Sequence, residues 1–218
     1  MNDDLKKMAA KAALDFIADG IHLGVGSGTT VHHLIQMLPQ VRGRIAGVSP
    51  SSEDTARRLE AAGFRCTLDA GAPDLYIDGA DEADDNLQLI KGGGGAHVRE
   101  KIVACASKRF VCIIDESKRV AVLGRKMPVP VEVVPMARSF VARKLAAMGA
   151  NPKWREGFVS DNDCWILDAQ MPDIANAAAA ERDINNIAGV LENGIFAVRR
   201  ADVLLTAAAG GVREEIAR

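Results

Sequence analysis

Four consecutive glycines, Gly92 to Gly95, constrain this chain more than any other feature. Glycine loses more conformational freedom on folding than any other residue, so a globular chain keeps such a run only where something requires it. The usual requirement is a turn with positive φ, or close approach of backbone N–H groups to an anion. The run sits in Y-I-D-G-A-D-E-A-D-D-N-L-Q-L-I-K-G-G-G-G-A-H-V-R-E-K, from Tyr76 to Lys101. A short apolar strand, Leu75 to Ile77, leads into the acidic turn Asp78-Gly79-Ala80-Asp81-Glu82. A second apolar run, Leu87 to Ile90, ends in Lys91, and a helical segment carrying Glu100 follows the glycines. Carboxylates and a lysine thus sit at strand ends beside bare backbone, where open α/β sheets bind ligands. The stretch reads as a catalytic centre.

A second glycine cluster offers a grip on the substrate. The strand Ile21-His22-Leu23 runs into Gly24-Val25-Gly26-Ser27-Gly28-Thr29-Thr30, and a helix is predicted from about Thr30 to Leu38. Strand, glycine-rich turn and helix form an anion site, because turn N–H groups and the helix N-terminus both present positive charge. Ser27, Thr29 and Thr30 add hydroxyl donors suited to phosphate oxygens. Three readings compete here: a small phosphate ester, a nucleotide, or a structural turn. A Walker loop would need G-K-[ST], and a dinucleotide fingerprint would need a third glycine where Thr29 stands.

The remaining chain alternates strand and helix. Strands are predicted at Arg44 to Val48, more weakly at Phe64 to Leu68, and at Phe110 to Ile114. Helices are predicted at residues 3–18, from Ser51 or Ser52 to Ala62 with Gly63 at the C′ position, and at Ala96 to Ser107. This alternation argues for a doubly wound parallel sheet. The rhythm breaks at Met127-Pro128-Val129-Pro130. Strand 131–134, helix 135–148, a hairpin of 153–160 and 164–168 around Asp161-Asn162-Asp163, helix 172–186 and strand 190–198 follow. That β-α-β-β-α-β order is ferredoxin-like. One more apolar strand, Ala201 to Thr206, returns to the first sheet. The expected division is 1–126 with 199–218 as the α/β catalytic domain, and 127–198 as a small inserted α+β domain suited to oligomerisation.

A net charge of −2 favours no nucleic-acid partner. No apolar run approaches the ~18 residues of a membrane span. The charged first twenty residues lack a signal-peptide core. The cysteines at 66, 105, 112 and 164 form no C-x-x-C pair and read as reduced, mostly buried thiols. A cytoplasmic protein is expected.

G-V-G-S-G-T-T, D-G-A-D-E and K-G-G-G-G-A with Glu100 occur in order, followed by D-E-S-K at 115–118 and P-V-P-V-E-V-V-P-M-A-R at 128–138. Together they closely resemble ribose-5-phosphate isomerase, type A, from Leu5 to Ala208. The resemblance implies a Rossmann-like main domain with a small ferredoxin-like domain. It also implies interconversion of ribose 5-phosphate and ribulose 5-phosphate without metal or organic cofactor, in the non-oxidative pentose phosphate pathway, by a homodimer or homotetramer. Carried over by motif position, it makes Glu100 the general base. Asp78, Asp81 and Lys91 line the sugar site, with Gly79, Ala80, Gly92, Gly93 and Gly94 among the substrate contacts. Ser27, Gly28, Thr29 and Thr30 bind the substrate with Lys118, the loop taking the phosphate; Lys6 or Lys7 also reaches toward it. The departures from the family pattern are small. Ser27 stands where many members have threonine, which keeps the hydroxyl. Gly95 and His97 occupy places where alanine and a hydrophobic residue are common, and the extra glycine is expected to loosen the loop.

The chemistry suits these residue types. One base can carry a proton between C2 and C1 through a cis-enediolate. Lys91 supplies charge for the enediolate oxygen. Asp81 is placed to shuttle the proton between oxygens, and Asp78 to hold hydroxyls or orient Lys91. No His/Cys/carboxylate cluster has metal spacing. From spacing alone Glu100, between Arg99 and Lys101, would read as a surface charge. Asp84 and Asp85 read as a solvated loop, and His32 and His33 as helix-surface residues. A non-catalytic sugar-phosphate sensor is the alternative function.

Overall fold

The structure is a computed structural model that describes residues 2–67 and 69–217. In chain order the main elements are α1 (Asn2–Ala13), β1 (Ile21–Val25), α2 (Thr29–Met37), β2 (Ile45–Pro50), α3 (Glu53–Ala61), β3 (Leu75–Asp78), β4 (Glu82–Ala83) and β5 (Leu89–Ile90). Then come α4 (His97–Ala106), β6 (Arg109–Asp115), β7 (Val129–Val133), α5 (Arg138–Ala147), β8 (Asn151–Trp154) and β9 (Trp165–Gln170). The chain closes with α6 (Ala177–Asn185), β10 (Val190–Asn193), β11 (Ile195–Phe196), β12 (Val203–Ala208) and β13 (Gly211–Ile216). Two compact units result, one of residues 1–80, 99–118 and 201–218, the other of residues 81–98 and 119–200.

The first unit is built on a six-stranded sheet in the order β13-β12-β6-β3-β1-β2. All neighbours are parallel except β12 and β13. Leu23, Ile77, Val111 and Leu205 bury their side chains in one core with Ala9, Ala10 and Ala13 of α1. Burying such a leucine, isoleucine or valine contributes about 1.5–3 kcal/mol. Because β2 and β3 flank β1 on opposite sides, the order reverses beside β1. Doubly wound sheets bind ligands beyond the carboxyl ends of strands at such a reversal. Ser52 caps α3 by accepting from the Thr55 N–H at 3.0 Å. Gly63 follows α3 at φ +85°, as its predicted C′ position requires.

The second unit carries a four-stranded antiparallel sheet, β10-β7-β9-β8, the strand order of a ferredoxin-like unit, and a three-stranded sheet, β11-β5-β4. Glu82, fully buried, accepts from the N–H groups of Gly124, Lys126 and Met127, each at 2.7 Å. The acidic turn therefore donates one carboxylate to structure.

Several predicted boundaries shift. The strand expected over 190–198 divides at Gly194, whose N–H donates to Pro130 and whose carbonyl accepts from Lys91; β10 and β11 consequently join different sheets. In the predicted hairpin, Asp163 turns at φ 56° as expected, but β8 ends at Trp154. The helix predicted over 172–186 starts at Ala177, where the Asn176 side chain accepts from the Ala179 N–H. The weak strand at Phe64 to Leu68 reduces to a single parallel bridge, Cys66 to Val48, and Leu68 lies outside the described residues. The polar edge strand β13 was not predicted at all. Asp84 is buried rather than solvated, capping the β4–β5 turn by accepting from the N–H groups of Asn86 and Gln88 at 2.9 Å. Of the four cysteines expected to be mostly buried, Cys112 is buried, Cys66 and Cys164 are half-buried, and Cys105 is exposed.

Candidate active site

In the first unit the glycine-rich loop leaves the carboxyl end of β1 beside Asp78, the last residue of β3. Asp78 is fully buried, and its Oδ1 accepts from the N–H of Ser27 at 3.0 Å and of Gly79 at 2.7 Å. The Tyr76 hydroxyl donates to its Oδ2. Gly26 has to be glycine here, since a Cβ would lie 2.0 Å from the Asp78 carboxyl. Burial first, then the neighbouring charges of Asp78 and Glu100, hold the Tyr76 phenol well above its ordinary range, so it stays a donor. Asp78 is therefore the support on which the Ser27 loop is mounted.

Ser27 also faces the candidate base. Its hydroxyl donates to Glu100 Oε1 at 2.5 Å, and Glu100, in the first turn of α4, is only 3% exposed. The surface-charge reading of Glu100 is thus overturned. Gly28 precedes α2 at φ +90°, leaving exposed Thr29 and half-buried Thr30 in the first turn, where N–H groups have no partner within the helix. Lys6 reaches this turn and donates to Thr29 Oγ1 at 2.9 Å, whereas Lys7 is exposed. Thr55 donates to the Gly26 carbonyl at 2.7 Å and fixes the loop from α3. Lys118 lies half-buried on the turn after β6. His32 pairs with Asp54 at 3.3 Å and His33 with Asp3 at 3.0 Å.

In the second unit the Asp81 N–H donates to the Ile90 carbonyl at 2.8 Å, and Asp81 Oδ2 accepts from the Gly93 N–H at 2.8 Å. Lys91 follows β5, is 3% exposed, and places Nζ 5.5 Å from the centroid of the Phe196 ring. Gly95 N–H donates to the Gly92 carbonyl at 2.9 Å and closes the glycine run into a turn. Gly95 itself sits at φ +84°, and a Cβ there would lie 2.3 Å from Phe158 Cζ. The expected loosening is absent: Gly95 is packed tight. His97 is buried, with Nε2 3.3 Å from the Glu192 carbonyl.

The structure brings Ser27, Asp78 and Glu100 into one hydrogen-bonded group, and Asp81 with Gly93 into another. It adds residues the sequence did not single out. Tyr76 passed as an ordinary strand residue. Arg155, just beyond β8, donates to the Gly92 and Gly93 carbonyls, a long-range pairing with no sequence signal.

The family model for ribose 5-phosphate isomerase A (phosphoriboisomerase A) matches residues 47–211. The chain belongs to this family. Ribose-5-phosphate isomerase A of Dichelobacter nodosus is 52% identical over 210 residues, 95% of each chain. The crystal structure of ribose 5-phosphate isomerase A from Neisseria gonorrhoeae is 42% identical, with a TM-score of 0.96 over 100% of this chain and 98% of that one. A solved D-ribose-5-phosphate isomerase in complex with phospho-erythronic acid is 36% identical, with a TM-score of 0.94 over 99% of both chains. The chain is accordingly a ribose-5-phosphate isomerase, interconverting ribose 5-phosphate and ribulose 5-phosphate, and its α/β fold is the family's. The sensor alternative finds no support among these relatives. Among the described residues no helix is long and apolar enough to cross a membrane.

Proposed function

We propose that this isomerase works by proton transfer through a cis-enediolate, with Glu100 as the base that carries the proton between C2 and C1. The observation that carries this reading is the Ser27–Glu100 hydrogen bond. It fixes a buried carboxylate beside the loop whose glycines and hydroxyls suit a phosphate. Ser27, Gly28, Thr29 and Thr30, with Lys6 and Lys118, take the substrate's phosphate end. Asp78, its oxygens already engaged, holds that loop in place, and Gly79 and Ala80 contact the substrate. Asp81 moves the proton between the sugar oxygens and assists ring opening. Lys91 stabilises the enediolate oxygen, a role for which a preorganised cation suffices without metal or organic cofactor. Gly92, Gly93 and Gly94 present backbone to the sugar. Binding of phospho-erythronic acid by a relative supports a site that takes a sugar-acid phosphate.

Conversion of ribose 5-phosphate in EDTA with no added cofactor tests this reading. Full activity is the expected result; activity lost to EDTA and restored by a metal would overturn it. We further propose a cytoplasmic homodimer or homotetramer within the non-oxidative pentose phosphate pathway. Val134, Met136 and Phe140, which are 46%, 96% and 40% exposed, support contact between copies through that segment. A monomer mass by light scattering would contradict it.

A further inference from the structure

Arg155 occupies an unusual position for a charged residue on a hairpin. Its guanidinium is held by the Asp168 carboxylate, Nε to Oδ2 at 2.9 Å and Nη2 to Oδ1 at 2.5 Å. This two-pronged geometry fixes the plane of the guanidinium as well as its position. The ring of Phe158 lies beneath, 5.3 Å from the guanidinium carbon to the ring centroid. The remaining donors point at the glycine run: Nη1 and Nη2 each donate to the Gly92 carbonyl at 3.4 Å, and Nη1 to the Gly93 carbonyl at 3.2 Å. The Asp168 and Arg155 side chains are 24% and 19% exposed, so water competes little for the pair.

The Gly92 carbonyl and the Gly93 N–H belong to one planar peptide, and in a trans peptide they point in opposite directions. Arg155 therefore grips one side of that peptide while Asp81 Oδ2 accepts from the other at 2.8 Å. A glycine peptide has almost no intrinsic preference between this orientation and its flipped alternative. A flip would turn the Gly92 carbonyl toward the Asp81 carboxylate and replace a hydrogen bond by oxygen–oxygen repulsion. Within the loop the Gly95 N–H already holds the Gly92 carbonyl at 2.9 Å. From outside it the charge of Arg155 adds to the preference for the observed orientation and extends it to the Gly93 carbonyl.

We propose that Asp168 and Arg155 form a positioning pair for Asp81, acting through the Gly92–Gly93 peptide. The pair touches no reacting atom. It sets the direction of the N–H that holds the Asp81 carboxylate, and with it the geometry at the sugar oxygens. The inference rests on the proposed role of Asp81 in moving the proton between those oxygens.

The test is a double-mutant cycle on ribose 5-phosphate turnover, using Arg155→Lys, Asp168→Asn, Asp81→Asn and the combination of Arg155→Lys with Asp81→Asn. Lysine keeps the charge but cannot grip Asp168 and two carbonyls together. Arg155→Lys is expected to lower kcat by roughly 10-fold or more, the effect of a misplaced catalytic group, with KM within about threefold of wild type. Asp168→Asn should lower kcat in the same manner. In the Asp81→Asn background Arg155→Lys should cost nothing further, because the group it positions is already disabled. A purely structural role would instead give additive losses, which would overturn the proposal, as would Arg155→Lys with wild-type kcat. Wild-type turnover by Asp81→Asn would refute the role of Asp81 itself, a result distinguishable from either.

Discussion

The Ser27 hydroxyl donates to the Glu100 carboxylate at 2.5 Å, and the Ser27 N–H donates to Asp78 at 3.0 Å. One residue thus ties the loop after β1 both to the candidate base and to the end of β3. Two links with different consequences meet there: the N–H sets where the loop lies, and the hydroxyl sets where the base points.

Ser27→Ala should separate them. The backbone bond survives, so the loop stays in place, while Glu100 loses a donor worth about 1.5–3 kcal/mol to a charged acceptor. Steady-state kinetics should show kcat/KM lower by roughly 10- to 100-fold. Ser27→Thr, which retains the hydroxyl, should remain within a few-fold of wild type.

Tyr76 is the chain's one tyrosine, so its ionisation can be read directly from ultraviolet absorbance. The phenol is held well above its ordinary value by burial, then by the charges of Asp78 and Glu100. A folded pKa raised above the unfolded value means stability fully present below about pH 10 and lost as pH climbs through the folded value. The native protein should show no tyrosinate at pH 10, whereas the urea-unfolded chain should be about half ionised there. Ordinary titration of the native protein would contradict the buried Tyr76–Asp78 arrangement.

Gly95→Ala should destabilise the protein. Its Cβ would meet Phe158 at 2.3 Å, and φ +84° disfavours any L side chain. A loss of roughly 1–3 kcal/mol is expected in urea unfolding. Adding Phe158→Ala should recover the part due to the clash and leave the backbone part.

How much of this was legible in the sequence follows from the range of each interaction. Gly26, Ser27, Asp78, Asp81 and Lys91 stood out because hydroxyls, glycines and charges cluster at strand ends within short segments. Glu100, a surface charge by its spacing, stood out only through the neighbouring glycine run and the family resemblance. The parallel sheet was readable because β1, β3 and β6 are short apolar runs spaced by helices. β13 was not, since V-R-E-E-I at a sheet edge is too polar to register as a strand. Gly194 could not be foreseen as a break, because its cause is the Lys91 N–H, far away in sequence. Arg155 was invisible for the same reason, as was the use of Glu82 to hold the Gly124 to Met127 backbone. A lone charge announces neither burial nor partner; only the fold assigns both.

The role given to Glu100 is the claim on which the account depends. It is tested most directly by measuring turnover and ribose 5-phosphate binding side by side in Glu100→Gln, which keeps the shape and removes the base. The account predicts a loss of at least ~10²–10⁴-fold in kcat, with binding within a few-fold of wild type. Turnover close to wild type in a folded, substrate-binding Glu100→Gln would contradict it.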